Sequence, residues 1–389
     1  MSSTSTPTVA LTARSYPIDG HDVLDHSSTD GCVWLAAGLS FVTTGVAQTV
    51  ALGDASAVLA GIDHRTTDAC SDQAGPRAIG AQPFDATSAG PGQLVIPARI
   101  VGRDAHGAMW CTEIGTGAER APETRTRPAQ FSVSARTSHA EWRTMVERAL
   151  ELIANGHLDK VVLARSVAVD ADAPFNLRSI LAYLRQSQPG CVVYADRGFV
   201  GASPELLVRK RGSRVTARPL AGTGTSADAL LHSEKDAAEH RFVVDAVIAA
   251  LRGCGAKVTA EGPAALALPG VSHLATSVTG DLTNPDIDVS ALVDALHPTP
   301  AVGGTPRGAA LNAITALESF GRGRYAGPCG WVDARGDGEF VVALRGADID
   351  GSHALLHAGA GIVAGSDPDA EWAETQQKLT PMLQALVRP

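Results

Sequence analysis

The chain is poor in charge, in aromatic residues and above all in lysine. Of its 389 residues, 19% are charged and 4% are aromatic, and acidic residues outnumber basic ones by 41 to 32. The net charge of −9 argues against a protein that binds nucleic acid phosphates or an anionic membrane, because both need clustered lysine and arginine. Only five of the basic residues are lysines, so a lysine inside a pocket motif is informative.

Paired cysteines and long apolar runs are also missing. The six cysteines are dispersed, without the short spacing that zinc or redox chemistry needs, and are interpreted as reduced thiols. Ser and Thr interrupt the apolar run between Cys32 and Leu52, so no membrane span is expected. Residues 1–15 are polar and lack the pattern of a secretory signal. The cytoplasm is therefore the expected location.

The chain nevertheless has enough apolar residues, 44%, to bury a large core. No repeat with a period of 20–50 residues indicates a solenoid or a propeller. We expect a disordered tail over 1–15, an N-terminal portion without catalytic motifs over 16–134 and a catalytic region over 135–389, all within one unit. A chain of this size needs no partner to bury its core, so a monomer is expected.

Strand and helix patterns alternate irregularly after residue 135. A capping box at Ser138 and Glu141 predicts a helix that ends at Asn155, and Lys160 begins an alternating strand, KVVLARSVAV. Further helices are predicted over 236–251 and 308–319 and from Pro368, and strands over 191–200, 206–215, 330–332, 339–348 and 354–362. The order favours an α+β fold with antiparallel-rich sheets over a doubly wound parallel sheet.

Carboxylates recur at helical spacing in two segments. Glu371, Glu374 and Lys378 follow one another at i, i+3 and i+7, and Asp236 and Glu239 stand at i and i+3 in SEKDAAEH. One interpretation of either pattern is a solvated, salt-bridged helix face. Carboxylates that two helices bring together would instead suit Mg²⁺, which prefers oxygen ligands and keeps several waters.

Other segments offer isolated polar groups. Glu205 in SPELL begins a strand among apolar residues, which suits a general acid of raised pKa unless the side chain faces water at a sheet edge. The loop PLAGTGT, 219–225, has N–H groups for an anion but lacks the spacing of a nucleotide-binding loop. The segment GAGIVAG, 359–365, opens no βαβ unit, so no Rossmann site is predicted. His273 and Arg345 each have a structural interpretation when taken alone.

In this order, the segments resemble the chorismate-utilising enzymes, which include the isochorismate, salicylate, anthranilate and aminodeoxychorismate synthases. The resemblance covers roughly residues 135–389. It rests on KVVLAR, SPELL, PLAGT, SEKDAAEH, HLATSVTG, HPTPAVGG, the GWVD and VVALRGA pair and HAGAGIVAGSDPDAEWAETQQKL. It implies an α/β sandwich of two antiparallel-rich lobes surrounded by helices, with the active site between them, in agreement with the α+β pattern.

Few positions distinguish the members of this family. Aminodeoxychorismate synthases are disfavoured because they carry a lysine nucleophile where this chain has Ala221. Anthranilate synthases typically have glutamine at the position of Lys160, and a lysine can deprotonate water, which attack by ammonia does not require. The HPTPA stretch with Ala301 is similar to isochorismate synthases. Tyr325, often phenylalanine in those enzymes, leaves salicylate synthase as an alternative, and a non-catalytic binding subunit is the alternative from another class.

The resemblance implies Mg²⁺-dependent conversion of chorismate to isochorismate. Lys160 would activate the water that attacks ring carbon 2, and Glu205 would protonate the hydroxyl that leaves carbon 4, with His273 near that hydroxyl. Glu239 and Glu374 would bind Mg²⁺, which would neutralise the ring carboxylate of chorismate.

The remaining implied roles concern waters, substrate and pathway. Glu371 and Asp236 would hold waters of the metal, and Arg345 and Tyr325 would bind the enolpyruvyl carboxylate of chorismate. The full set of implied substrate-binding residues is Gly222, Thr223, Ala301, Tyr325, Arg345, Gly359, Gly361 and Lys378. Siderophore, salicylate and menaquinone pathways all consume isochorismate, and the sequence does not choose between them.

Overall fold

The structure is a computed structural model, and it describes residues 11–68, 70–90, 92–115, 127–224 and 226–388. Within these ranges the chain forms 23 β-strands in two sheets and nine α-helices. The helices are α1 (Ala55–Ala60), α2 (Ala86–Ala89), α3 (His139–Ala154), α4 (Leu177–Ser187), α5 (Ala227–Leu231), α6 (Glu234–Gly253), α7 (Val289–Leu296), α8 (Arg307–Leu317) and α9 (Pro368–Val387).

The strands are spread along the whole described chain. They are β1 (Thr12–Pro17), β2 (Cys32–Leu35), β3 (Leu39–Thr44), β4 (Gln48–Ala51), β5 (Asp63–Thr66), β6 (Arg77–Ala81), β7 (Gln93–Ile96), β8 (Arg99–Asp104), β9 (Met109–Ile114), β10 (Phe131–Ala135), β11 (Lys160–Ala171), β12 (Val192–Asp196), β13 (Phe199–Ser203), β14 (Leu206–Arg211), β15 (Arg214–Arg218), β16 (Leu220–Gly224), β17 (Ala256–Leu268), β18 (Val271–Leu282), β19 (Gly304–Thr305), β20 (Pro328–Asp333), β21 (Gly338–Val342), β22 (Gly346–Asp350) and β23 (His353–Val363).

Both sheets combine strands from the two ends of the chain. The larger sheet has the order β10-β11-β23-β22-β13-β12-β2-β3-β8-β9-β1-β5, with β19 beside β11. The smaller sheet has the order β16-β18-β15-β14-β21-β20-β6-β7-β4, with β17 beside β18. Among the described strands only the pair β1 and β5 is parallel. The predicted α+β class with antiparallel-rich sheets is therefore confirmed.

The N-terminal strands complete both sheets rather than forming a sheet of their own. In the larger sheet β2 pairs with β12, and in the smaller sheet β6 pairs with β20. Strand β1 begins at Thr12, so the tail expected over 1–15 is too long at its end, and residues 1–10 lie outside the described residues. No helix of the described chain is both long and apolar enough to cross a membrane.

The strand boundaries correct several predictions. Segments 191–200 and 206–215 are not single strands, because Gly198 and Gly212 take positive φ angles of 86° and 57° and turn each segment into a hairpin. The predicted strand 339–348 is wrong as well, since β21 ends at Val342 in the smaller sheet and β22 begins at Gly346 in the larger sheet. The predicted loop 219–225 is strand β16 as far as Gly224, and Thr225 lies outside the described residues.

These corrections reveal two places where the chain passes from one sheet to the other. One crossing lies between β13 and β14, at Pro204 and Glu205, and the other lies between β21 and β22, at residues 343–345. The crossings are adjacent, because Val342 N–H donates to Glu205 O at 3.1 Å and Ala202 N–H donates to Arg345 O at 3.3 Å. Two predicted site residues therefore meet where the sheets meet.

Helix α9 is fixed against the larger sheet by polar contacts. Asp367 caps its first turn, and the helix begins at Pro368, as predicted. The Arg165 guanidinium of β11 lies 3.8 Å from the Trp372 ring and donates to Thr375 Oγ1 at 2.6 Å. These contacts set the rotation of α9, so that its acidic face meets α6.

Candidate active site

A cavity between the two sheets collects most of the predicted site residues. Eleven of the 15 line it: Glu205, Gly222, Thr223, Glu239, His273, Ala301, Tyr325, Arg345, Gly359, Gly361 and Lys378. The other four lie next to these: Lys160, Asp236, Glu371 and Glu374. A set spread over more than 200 residues of sequence is thus assembled at one place, although their roles stay predictions.

Lys160 and Glu239 form a buried ion pair at one end of the cavity. Lys160 Nζ lies 2.9 Å from Glu239 Oε1, and the lysine side chain is 1% exposed. The contact lacks hydrogen-bond alignment, so Nζ has no hydrogen-bond partner among the described residues. A Cβ at Gly361 would lie 2.4 Å from Glu239 Oε1 and 3.0 Å from Lys160 Cε. Glycine at this position of β23 is what admits the pair.

Two further lysines neutralise the carboxylates of α9. Lys378 Nζ donates to Glu374 Oε1 at 2.6 Å and to Gly359 O at 3.1 Å. Lys235, in the first turn of α6, donates from Nζ to Glu371 Oε1 at 3.1 Å. Three of the five lysines of the chain thus contact predicted metal ligands.

Burial and neighbouring charges act on these carboxylates in opposite directions. Burial, followed by the nearby Glu374 charge, raises the pKa of Glu371. For Glu239, burial also raises the pKa, but the opposing effects of Lys160, Lys378 and Lys235 together outweigh burial, and the net pKa is lowered. In the described part of the chain no three carboxylates are close enough to share one metal ion. This end of the cavity, called the acidic end below, therefore alternates the carboxylates of Glu239, Glu371 and Glu374 with lysine ammonium groups.

Glu205 lies on the crossing between the sheets and is 3% exposed. Burial raises its pKa to about 8, against weaker opposing effects of the Leu220 N–H and of the Lys160 and Lys378 charges. The carboxyl group is therefore protonated at pH 7. The burial of Glu205 excludes the alternative of a solvent-facing edge residue and is in keeping with a raised pKa, while its role as general acid stays a prediction.

Arg345 and His273 line another part of the cavity, called the arginine end below. Arg345 has a φ of 51°, a left-handed conformation that costs a non-glycine residue about 1–3 kcal/mol. Its Nη2 donates to His273 Nε2 at 2.7 Å, and His273 Nδ1 donates to Gly222 O at 3.2 Å. Burial, then repulsion from Arg345, lowers the pKa of His273 to about 3. The imidazole is therefore neutral, and it orients Arg345.

Sequence reasoning missed several residues of this site. Their signals are weak, except that His357 shares a strand face with Gly359 and Gly361, and that Lys235 is one of few lysines. The missed lining residues are Val162, Pro204, Leu220, Ala221, Val302, Leu344, His357 and Ala358.

Comparison with known proteins identifies the class to which this fold and site belong. Residues 103–387 match the family described as chorismate binding enzyme, and the chain belongs to that family. The predicted resemblance to the chorismate-utilising enzymes is thereby confirmed.

Individual relatives are similar over most of their length. The chain is 35% identical to isochorismate synthase DhbC of Bacillus subtilis, over 81% of this chain and 82% of the relative. It is 36% identical to isochorismate synthase EntC of Escherichia coli, over 79% of this chain and 80% of the relative. The structure of MenF, the menaquinone-specific isochorismate synthase of Escherichia coli, superimposes with a TM-score of 0.83 at 27% identity, covering 97% of this chain and 95% of that one.

Proposed function

We propose that the protein is an isochorismate synthase, an isomerase that converts chorismate to isochorismate. The observation that carries this proposal is the pairing of two groups at one cavity. The Lys160 ammonium lies at one end, and the buried, protonated Glu205 is close enough for the Lys160 charge to act on its pKa. Water addition at one ring carbon and hydroxyl loss at another need such a base and acid.

The proposed reaction is balanced in atoms and charge. Once its ammonium group has released a proton to solvent, Lys160 takes a proton from water as the water oxygen bonds to ring carbon 2, and proton exchange with solvent resets Lys160 and Glu205 after each turnover. The ring double bonds shift, the bond from carbon 4 to its hydroxyl breaks, and Glu205 gives its proton to the departing oxygen, which leaves as water. One water enters and one leaves, so the product is an isomer of the substrate. General acid and base each contribute about 10²–10⁴-fold.

The acidic end of the cavity fits Mg²⁺ in its donor chemistry. Glu239 from α6 and Glu374 from α9 provide carboxylate oxygens, and the like charge of Glu374 raises the pKa of Glu371, which a divalent cation would offset. Mg²⁺ commonly binds one or two carboxylates and completes its shell with waters and an anionic substrate. Glu239 and Glu374 would hold the ion, with Glu371 and Asp236 on its waters. When bound, the ion would supply positive charge against the ring carboxylate of chorismate.

The remaining residues would position the substrate. Arg345 and Tyr325 would bind the enolpyruvyl carboxylate, and neutral His273, whose two ring nitrogens bond to Arg345 and Gly222, would hold Arg345 in place. Chorismate would be the small-molecule partner of a monomeric, cytoplasmic enzyme. Backbone and side-chain donors around the ring would come from Gly222, Thr223, Ala301, Gly359, Gly361 and Lys378.

Incubation of the purified chain with chorismate, with and without Mg²⁺, tests the proposal. Chromatography should show isochorismate only with Mg²⁺, and a coupled dehydrogenase should detect no pyruvate. Pyruvate in equal amount to salicylate would instead identify a salicylate synthase, the alternative that Tyr325 leaves open. No turnover at all would refute both.

A matched pair of lysine variants assigns the base. Lys160→Gln should lower kcat by about 10²–10⁴-fold, the usual contribution of a general base. Lys257→Gln, at an exposed position of β17, is the control and should leave kcat unchanged. Equal rates for Lys160→Gln and the wild type would remove Lys160 from the mechanism.

A further inference from the structure

His357 carries a buried hydrogen-bonding atom that the mechanism above does not use. The residue lines the cavity and is 5% exposed, and its Nε2 has no hydrogen-bond partner among the described residues. Burial, then repulsion from Arg322, lowers the pKa of His357 to about 4, so the ring is neutral at pH 7. A buried polar atom without a partner is costly unless a ligand supplies one.

Aromatic contacts fix the orientation of this imidazole. The Tyr325 ring stacks on it with centroids 5.3 Å apart and an interplanar angle of 22°, and the Phe320 ring lies at the same centroid distance, tilted by 33°. A ring held between two aromatic neighbours loses little further freedom when a ligand binds.

The spacing of residues along strand β23 gives the distance of His357 from the Lys160 and Glu239 pair. His357, Gly359 and Gly361 alternate on one face of the strand, and all three line the cavity. Gly361 contacts the Lys160 and Glu239 pair, whereas His357 lies four residues away, or about 13 Å at the usual rise of a strand. Along β23, His357 therefore lies away from the Lys160 and Glu239 pair.

Arg345 lies at the same end. In the ladder between β22 and β23, Ala347 is opposite Leu356, and Arg345 and His357 are each within two residues of that pair. Arg345 Nη1, like His357 Nε2, is buried without a hydrogen-bond partner in the described chain. Two buried polar nitrogen atoms without partners among the described residues thus lie at one end of the cavity.

We propose that His357 is a substrate-binding residue, whose Nε2–H donates to the enolpyruvyl carboxylate of chorismate that Arg345 also binds. The inference rests on the proposed function and deepens it. A carboxylate has four lone-pair positions and can accept from a guanidinium and an imidazole together. The other interpretation of His357 is a packing residue that only supports Tyr325.

Two substitutions separate these interpretations. His357→Phe keeps an aromatic ring against Tyr325 but removes the donor, whereas His357→Gln places an amide N–H near the position of Nε2. Loss of a hydrogen bond to a charged group should raise KM for chorismate roughly 10- to 100-fold in His357→Phe, with kcat within about 3-fold of the wild type. His357→Gln should restore KM to within about 5-fold of the wild type, which a packing role does not predict. His353→Gln, exposed on the same strand, is the control.

Binding is also measured without turnover. Calorimetric titration of chorismate into Glu205→Gln, with and without His357→Phe, should show the same 10- to 100-fold weakening. If the unfolding temperature shows that His357→Phe does not fold, His357→Leu takes its place. A KM within 2-fold of the wild type in a folded donorless variant, or equal losses in the Phe and Gln variants, would overturn the inference. Absence of turnover in the wild type would instead refute the proposed function.

Discussion

The acidic end and the arginine end of the cavity differ in their side chains and in how exposed these are to solvent. At the acidic end, charged side chains on α6 and α9 pair with lysines, one of which, Lys235, has a side chain that is 47% exposed. At the other end, Arg345, His273 and His357 extend from strands and sheet crossings, and each is 6% exposed or less. The ion pairs of the acidic end range from the buried Lys160 to the half-exposed Lys235, whereas the other end has only buried groups fixed by their neighbours.

This difference matches the two tasks that the proposed reaction sets. A metal and its waters need carboxylates that can exchange lysine partners for an ion, which long side chains on helices allow. A substrate side chain needs donors already in position, because ordering them on binding would cost free energy. Strain in the Arg345 backbone, with its φ of 51°, is in keeping with a preorganised end.

Glu205 lines the cavity at the crossing between the sheets, and its replacement should have the largest effect of the variants that follow. Glu205→Gln keeps the size of the side chain but removes the proton that the departing hydroxyl takes. We expect kcat to fall by about 10²–10⁴-fold with little change in KM, measured by steady-state formation of isochorismate. A loss confined to KM would show that Glu205 binds the substrate instead, and that the acid lies elsewhere.

The same variant has a signature in stability. The pKa of Glu205 is about 8 in the folded chain and ordinarily 4.5, so between these values the folded state binds more protons than the unfolded state. Wild-type stability gained from this group is thus complete below pH 4.5 and lost as the pH rises through 8. Relative to the wild type, Glu205→Gln should gain in unfolding temperature from pH 5 to pH 8. A difference that does not vary with pH would contradict the raised pKa.

Replacement of Arg345 disrupts the arginine end. Arg345→Lys keeps the charge but loses the planar fork and the bond to His273 Nε2. We expect KM for chorismate to rise roughly 10- to 100-fold and kcat to change less. In the double variant with His357→Phe the two losses should combine less than additively, because both donors would serve one carboxylate. If the two losses of binding free energy were strictly additive, Arg345 and His357 would not bind the same carboxylate.

The acidic end could be predicted from the sequence better than the arginine end. Helical spacing is local, so the i, i+3 and i+7 positions of Glu371, Glu374 and Lys378 indicate one helix face from the order of residues alone. Lys235 was missed because its contact with Glu371 joins two helices that are 136 residues apart. Family resemblance, not periodicity, supplied the roles.

The arginine end depends on where the chain passes from one sheet to the other, which leaves little local signal in the sequence. The crossing at Arg345 occurs inside an apolar stretch, so the periodicity of VVALRGAD predicts one continuous strand where the structure has two strands in different sheets. Which sheet accepts each strand is decided by long-range pairing and packing. His357 is the exception, because its alternation with two glycines of the recognised motif was available in the sequence.

Lys235 provides the subtlest test of the contrast between the two ends. If the acidic end exchanges ammonium groups for a metal ion, Lys235 competes with the ion by neutralising Glu371, which it contacts at 3.1 Å. Lys235→Gln should then tighten Mg²⁺ binding by about 2- to 5-fold, because a partly exposed ion pair contributes at most about 1 kcal/mol. Titration calorimetry of Mg²⁺ into the chain alone measures this without any turnover. The control Lys257→Gln also removes one positive charge, at an exposed position of β17, and should leave the affinity unchanged. Weaker binding in Lys235→Gln would mean that the lysine holds Glu371 in place for the metal, and the acidic end would then be as preorganised as the arginine end.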